Sequence, residues 1–156
     1  MLIFLFVEST RSYHSIKHVF IENLYRQNVM APAEYAVLTS FYESMLKNFD
    51  VNGDLIIYLR SDPEVVYNRM RERGRTEENQ VSLEYLKQIH RLHEDWLVQK
   101  TVVENLPPVL ILDANSSLAT MKKEFKKCEN IIYSHLNQLD SAQFSNASTP
   151  DILTMV

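Results

Sequence analysis

The chain has 156 residues, of which 46% are hydrophobic and 23% are charged, a composition typical of one soluble globular domain with its own core. Its formal net charge of −4 argues against a broad basic face for nucleic acid or a membrane surface. The single cysteine, Cys128, excludes an internal disulfide and suits a reducing compartment.

Three short apolar runs predict buried strands, at residues 2–7, 54–60 and 109–113. Continuous apolar runs of this length are typical of parallel strands that are covered on both faces. Helical patterns lie between them, so we expect an α/β fold with a parallel sheet flanked by helices. The first run has no basic flank and is too short for a secretory signal or a membrane span. Because chains seldom begin inside a buried strand, we expect that an upstream part is missing.

Five helices are predicted between and after these strands. Proline favours the first helical turn at Pro32 and Pro63, Gly74 is a natural helix end, and Ser82 can cap the next helix. The predicted helices cover residues 11–28, 32–49, 63–73, a stretch from 83 onward, and 117–136. Residues 137–156 are polar and without pattern, which predicts a disordered tail after a single domain of residues 1–136.

Alternating arginines stand out at the end of the third helix, in the segment RMRERGRTEENQ. They are Arg69, Arg71, Arg73 and Arg75, and on a helix they do not form one stripe, because residues two apart differ by about 200° around the axis. Gly74 lets the backbone turn, so that Arg73 and Arg75 can point toward one place. Since guanidinium groups match phosphate oxygens, one interpretation is an arginine lid over a nucleotide. The other is a solvated helix end, where each cation is favoured by about 0.3–1 kcal/mol.

A longer stretch supports the first interpretation. The segment DLIIYLRSDPEVVYNRMRERGRTEENQVSLEYLKQIHRLHEDWL, residues 54–97, resembles the deoxyribonucleoside kinase family, in particular its insect multisubstrate and mitochondrial thymidine kinase types. VFIENLYRQNVM (residues 19–30) and VLILDA (residues 109–114) match in the same order. The resemblance implies a P-loop kinase-like fold and transfer of the γ-phosphate of ATP, with Mg²⁺, to the 5′-hydroxyl of a deoxynucleoside.

The same resemblance implies roles for the arginines. Arg69, Arg73 and Arg75 match the lid residues that contact the donor phosphates, with Arg71 a weaker candidate. Arg11 matches an arginine beside the 5′-hydroxyl and the transferred phosphate. The catalytic candidates are therefore Arg11, Arg73 and Arg75.

On the acceptor side, Glu78 matches the carboxylate that accepts a hydrogen bond from the deoxyribose 3′-hydroxyl. Ile16 stands beside the nucleobase, where the family has a small or acidic residue, so base preference does not carry over. The resemblance also implies a homodimer through the helices at 11–28 and 32–48. It implies no metal ligand in this chain, and we take His90, His93 and Glu94 as structural.

Several departures from the family bear on activity. Thr10 stands where the E-R-S motif has its glutamate, and Glu8 replaces it only if two residues are inserted. Gly53 and Gly74 are the only glycines, so G-x-x-x-x-G-K-[ST] cannot occur in the sequence. The family's phosphate loop and catalytic carboxylate would lie before Met1. We therefore expect an N-terminally truncated form with three strands, whose turnover alone is in doubt.

Two alternatives to the kinase interpretation stay open. The first is a non-catalytic truncated isoform that acts as a dimerisation partner. The second, weaker one is a nucleoside monophosphate kinase, whose acceptor is a phosphate. The compartment is expected to be mitochondrial or cytosolic rather than secretory.

Overall fold

The structure is a computed structural model that describes residues 3–5, 13–49, 55–101, 107–116, 120–122, 125–126, 129–130 and 132–134. The chain divides into two compact units, Met1–Asn115 and Ser116–Val156. In the second unit the described residues from 120 onward are helical, as the pattern over 117–136 predicts. The predicted tail, residues 137–156, lies outside the described residues. Of the helices described, none is long and apolar enough to cross a membrane.

The first unit contains a three-stranded sheet in the order β1-β2-β3, with β1 at Ile3–Leu5, β2 at Ile56–Arg60 and β3 at Val109–Asp113. Strands β2 and β3 are parallel, with Ile56 opposite Val109 and Arg60 opposite Asp113. The predicted α/β class is thus confirmed. Strand β1, however, runs antiparallel to β2, with Leu5 opposite Ile56. The parallel direction expected for the first strand is wrong, because either direction of pairing can satisfy the backbone groups of an extended segment.

The helices follow the predicted order. Residues 13–26 form one continuous helical segment, composed of α1 (Tyr13–Ser15), a π-helical stretch (Ile16–Ile21) and α2 (Glu22–Arg26). The remaining helices are α3 (Pro32–Asn48), α4 (Pro63–Arg73), a 3₁₀ turn (Thr76–Glu78) and α5 (Leu83–His93), which continues as a second π-helical stretch (Glu94–Val98).

Local sequence signals account for the ends of these helices. Pro32 and Pro63 each occupy the first turn, and Gly74 ends α4 in a left-handed conformation with φ of 67°. The Ser82 hydroxyl accepts a hydrogen bond from the backbone N–H of Tyr85 at 3.1 Å, which caps α5. Asp62 precedes α4 but makes no side-chain cap. The starts of α3, α4 and α5 and the end of α4 thus rest on residues with a defined backbone or capping preference.

The core of the first unit lies between β2, α5 with its π-helical continuation, and the 16–21 segment. Its buried cluster consists of Val19, Ile56, Tyr58, Ile89, Leu92, Trp96 and Leu97. Aromatic rings extend this cluster, since Trp96 stacks on His18 with ring centroids 5.7 Å apart and Tyr58 stacks on His93 at 5.9 Å. This packing fixes α5, which forms one wall of the cavity described below.

Candidate functional site

The alternating arginines lie where α4 ends and a short turn begins. Gly74 adopts a left-handed backbone conformation, which is unfavourable for residues with a side chain. Residues 76–78 then form a single 3₁₀ turn. This reversal brings the carboxylate of Glu78 back toward the last arginine of the helix. The turn therefore places Arg73, Arg75 and Glu78 at one point.

Glu78 is bound mainly by Arg73. Nη2 of Arg73 lies 2.5 Å from Oε1 of Glu78, whereas Nη1 of Arg75 lies 3.9 Å from the same oxygen. The hydrogen bond from Arg73, together with the charges of both arginines, lowers the pKa of Glu78 below its usual value. The second oxygen, Oε2, is buried and has no hydrogen-bond partner among the described residues. Glu78 is thus an ionised acceptor with one oxygen held and one oxygen unpaired.

All three residues line a cavity of about 570 Å³ in the first unit. Its other lining residues combine apolar, aromatic and polar side chains from the 13–26 segment, the link between β2 and α4, the start of α4, and α5: Ser15, Phe20, Ser61, Pro63, Val66, Tyr85, Leu86, Ile89, His90 and His93. A cavity of this size, with a few polar groups gathered at one place, is typical of a small-molecule site.

The two remaining lid candidates point elsewhere. Arg69 donates to the backbone carbonyls of Ala114 and Asn115, at 2.6 and 3.0 Å, just beyond β3. Arg71 lies over the ring of Tyr67, 5.0 Å from its centroid, and donates to the carbonyl of Asn79. The four arginines therefore do not converge: two face the cavity with Glu78, and two make contacts to the protein's own backbone and side chains.

The acceptor-side candidates are only partly described. Arg11 lies outside the described residues. Ile16 is 39% exposed and is not among the residues that line the cavity, whereas Ser15 and Phe20 from the same segment are. Sequence reasoning did not assign these two residues to the site. Their spacing of five residues gives no signal of a shared face, because residues five apart lie about 140° apart on an α-helix, and the π-helical winding of Ile16–Ile21 is visible only in the structure.

The histidines of α5 also reach the cavity. His93 is buried, and its Nδ1 donates to the carbonyl of Ile89 at 2.8 Å. Burial lowers the pKa of His93 to about 4, so the ring is neutral at pH 7. His90 lies beside it, with Nε2 4.0 Å from the Glu94 carboxylate. The part of the chain that the structure describes contains no group of three His, Cys, Asp or Glu side chains suited to a metal ion.

Glu94, which directly follows α5, binds side chains of the sheet and so holds the helix with these histidines in place. Its two oxygens accept from the Arg60 guanidinium at 3.0 and 2.7 Å, and Oε1 also accepts from the Tyr58 hydroxyl at 3.0 Å. Burial and the nearby Glu94 carboxylate raise the pKa of Tyr58, which keeps its hydroxyl a donor. The cavity wall formed by α5 is therefore held by charge-assisted bonds as well as by the core.

Comparison with known proteins places the chain in a family. Residues 6–137 match the sequence profile of the family described as Deoxynucleoside kinase. Because that match covers most of the chain, the chain belongs to the deoxynucleoside kinase family. This confirms the resemblance seen in the segment at residues 54–97.

Individual relatives agree with this assignment. The chain is 42% identical to human "Thymidine kinase 2, mitochondrial" over 117 residues, which is 75% of this chain and 44% of that protein. It is 37% identical to "Deoxycytidine kinase 2" of Gallus gallus over 119 residues, 72% of this chain and 45% of that protein. It is also 37% identical to "Deoxycytidine kinase" of Rattus norvegicus over 129 residues, 74% of this chain and 50% of that protein. The chain spans about half the length of the curated relatives it matches.

Proposed function

We propose that this chain takes part in deoxyribonucleoside phosphorylation, with ATP as donor and the 5′-hydroxyl of a deoxynucleoside as acceptor. The observation that carries the proposal is the joint position of Arg73, Arg75 and Glu78 on one cavity. Two cations and one acceptor-only carboxylate suit a reaction that transfers the terminal phosphate of ATP to a sugar hydroxyl and releases ADP. Relatives named as thymidine and deoxycytidine kinases support the substrate class.

On the donor side, Arg73 and Arg75 are the groups of this chain that face a polyphosphate. Both guanidinium groups are about half exposed or more, line the cavity and stay charged at neutral pH. In phosphoryl transfer negative charge spreads over the oxygens of the transferred group, and cations held in position lower the barrier. We assign this role to the pair, and a weaker, indirect one to Arg69 and Arg71, which bind backbone carbonyls.

On the acceptor side, we assign Glu78 to the 3′-hydroxyl of the deoxyribose. An ionised carboxylate only accepts hydrogen bonds. The free-energy cost of its buried, unpaired oxygen is offset when a hydroxyl of the ligand donates to it. Phe20, Leu86 and Ile89 supply apolar surface for the flat base in the same cavity.

The donor nucleotide fits these residues better than the metal does. Guanidinium groups at the cavity suit the phosphates of ATP. For Mg²⁺ the described residues offer no cluster of three carboxylate or imidazole ligands, so we assign it no ligand here and derive no step through it. Mg²⁺, when bound with ATP, neutralises phosphate charge.

A phosphorylation assay tests the proposal. Purified chain is incubated with Mg²⁺-ATP and either thymidine or deoxycytidine, and the 5′-monophosphate is quantified. Turnover by this chain, the result that would support catalysis, should fall by about 10³-fold when Arg73 and Arg75 are both replaced by alanine, because the positioned cations are lost. A diphosphate product formed from a monophosphate acceptor would instead identify a nucleoside monophosphate kinase. Turnover equal to that of the Arg73→Ala, Arg75→Ala control would reject catalysis by this chain.

A second candidate function is pairing between subunits through the helical segments at 11–28 and 32–48. The observation that favours it is the exposed apolar surface of α3 and its neighbouring loop, where Val29, Val37 and Phe41 are 71%, 68% and 61% exposed. Beside them, a groove of about 550 Å³ is lined mainly by apolar side chains of Leu24, Val29, Met30, Ala33, Val37 and Leu38. Apolar surface of this kind, contributed by α2, α3 and the loop between them, suits the same surface on a second copy of the chain.

Light scattering after size exclusion tests this pairing. We expect the wild-type chain to dimerise and the Phe41→Asp variant to elute as a monomer with unchanged helicity. If the dimer forms without turnover in the assay above, the chain acts as a non-catalytic partner. A wild-type monomer at all concentrations would reject the pairing. We also propose a mitochondrial or cytosolic location, since the name of one relative places that protein in mitochondria.

A further inference from the structure

We propose that Arg73 positions the sugar anchor, by holding Glu78 so that one carboxylate oxygen faces the acceptor hydroxyl, in addition to its contact with donor phosphates. The inference rests on the proposed kinase function, because it assigns a task to a contact within the same cavity. Arg73 is thus a positioning residue for the acceptor as well as a donor-binding residue.

The contact between the two side chains is specific to one oxygen. Arg73 bonds Oε1 of Glu78 at 2.5 Å, while Oε2 is buried without a hydrogen-bond partner among the described residues. A buried carboxylate oxygen without a donor is unfavourable, and a donor that arrives there recovers the lost hydrogen bond. A ligand hydroxyl is such a donor, and the orientation that Arg73 imposes determines which oxygen receives it.

Arg73 retains capacity for a second ligand while it holds Glu78. A guanidinium group has five N–H donors, and the contact with Glu78 uses the Nη2 end of the side chain. Arg73 is about half exposed and lines the cavity, so its other donors are available to phosphate oxygens. The same side chain can therefore touch the acceptor anchor and the donor at once.

Arg75 provides the matched comparison inside the same turn. It carries the same charge, lines the same cavity and lies on the other side of Gly74, yet its nearest nitrogen is 3.9 Å from Glu78. At that distance it contributes charge without a hydrogen bond that orients the carboxylate. We therefore expect Arg75 to act on the donor alone.

A double-mutant cycle on nucleoside affinity tests the inference. Thymidine and deoxycytidine binding are measured by calorimetry, without ATP, for the wild type, Arg73→Gln, Glu78→Gln and the double variant. Each single change is expected to weaken binding by about tenfold, and the double variant to bind no more weakly than Glu78→Gln. Arg75→Gln, alone and with Glu78→Gln, serves as the control and is expected to leave nucleoside affinity within about twofold of its parent. ATP binding should weaken in both arginine variants.

The outcomes separate this inference from the kinase proposal. Additive effects of Arg73→Gln and Glu78→Gln on nucleoside affinity would overturn the inference and leave the kinase proposal intact. A wild-type chain that binds neither nucleoside nor ATP would overturn both. NMR titration of the Glu78 carboxyl needs no ligand, and a pKa that does not rise in Arg73→Gln would show that Arg73 does not hold Glu78.

Discussion

Helices α3 and α5 differ in what happens to their apolar side chains. The shorter helix, α5, has 11 residues and buries Ile89, Leu92 and His93, whereas α3 has 17 residues and none of them is buried. Fully burying one aliphatic side chain is worth about 1.5–3 kcal/mol, so α5 contributes to the stability of the first unit in a way that α3 does not. The difference teaches that helix length does not measure stabilisation, and that α3 leaves its apolar face for another contact.

The largest expected effect follows from removing the aromatic ring that α5 and its continuation place in the core. Trp96 is completely buried and stacks on His18. Trp96→Ala should lower the free energy of unfolding by about 3–5 kcal/mol, because a large cavity remains. Urea denaturation followed by circular dichroism measures this loss, and Trp96→Phe, which retains much of the ring volume, should lose less. A loss below about 1 kcal/mol would mean that the core is not centred on α5.

The next effect concerns pH. Burial lowers the pKa of His93 to about 4, from the model-compound value of 6.5, and burial lowers the pKa of His18 to about 4 as well. Between these values the unfolded chain binds more protons than the folded chain, so the free energy of unfolding falls as the pH falls from 6.5 toward 4. For the almost fully buried His93 the loss amounts to about 2–3 kcal/mol.

Denaturation at pH 7.5 and pH 4.5 measures this dependence. His93→Gln should remove the part of the acid-induced loss that His93 causes, and leave a part due to the less buried His18 and to carboxylates such as Glu22, whose pKa its partners lower. An equal pH dependence in the wild type and the variant would show that His93 is not held neutral by burial. No such pH dependence of the free energy of unfolding is expected from α3, which buries no histidine.

A smaller effect is expected at the start of α5. The Ser82 hydroxyl accepts from the N–H of Tyr85, so Ser82→Ala should lower the free energy of unfolding by about 1 kcal/mol. Ser82→Thr keeps the acceptor and should stay near the wild type. Urea denaturation distinguishes the two, and equal losses in both variants would point to tight packing at this position instead of the cap.

Much of the fold could be predicted from local sequence signals, and its pairing directions could not. The apolar runs predicted β2 and β3, and Gly74 marked the end of α4, because strand burial and helix ends depend on nearby residues. The direction of β1 against β2 depends on which segments meet in three dimensions. An apolar run looks the same in a parallel and an antiparallel ladder, so the antiparallel pairing was missed.

The candidate site was predicted in the same uneven way. Arg73, Gly74 and Glu78 are five residues apart or closer, and their contact follows from one turn that the glycine makes easy. Arg69 instead donates to the backbone carbonyls of Ala114 and Asn115, which lie 45 and 46 residues further along the chain. No local sequence pattern predicts a contact over that separation. Its expected place among the phosphate-binding arginines therefore stays a prediction that ligand binding must test.

The smallest expected effect concerns α3 and tests the opening comparison most directly. Val37 and Phe41 are exposed, so neither loses many contacts within its own chain when it is shortened. Val37→Ala and Phe41→Ala should each change the free energy of unfolding of the dilute monomer by less than about 0.5 kcal/mol, far below the loss at Trp96. At higher concentration the same variants should lower the midpoint of thermal unfolding relative to the wild type, if a second copy covers this face and stabilises the folded state. The polar side chains of Tyr35 and Tyr42 already join α3 to the 13–26 segment. A loss above about 1 kcal/mol in the dilute monomer would mean that Val37 and Phe41 also pack within the chain, and the contrast with α5 would fail.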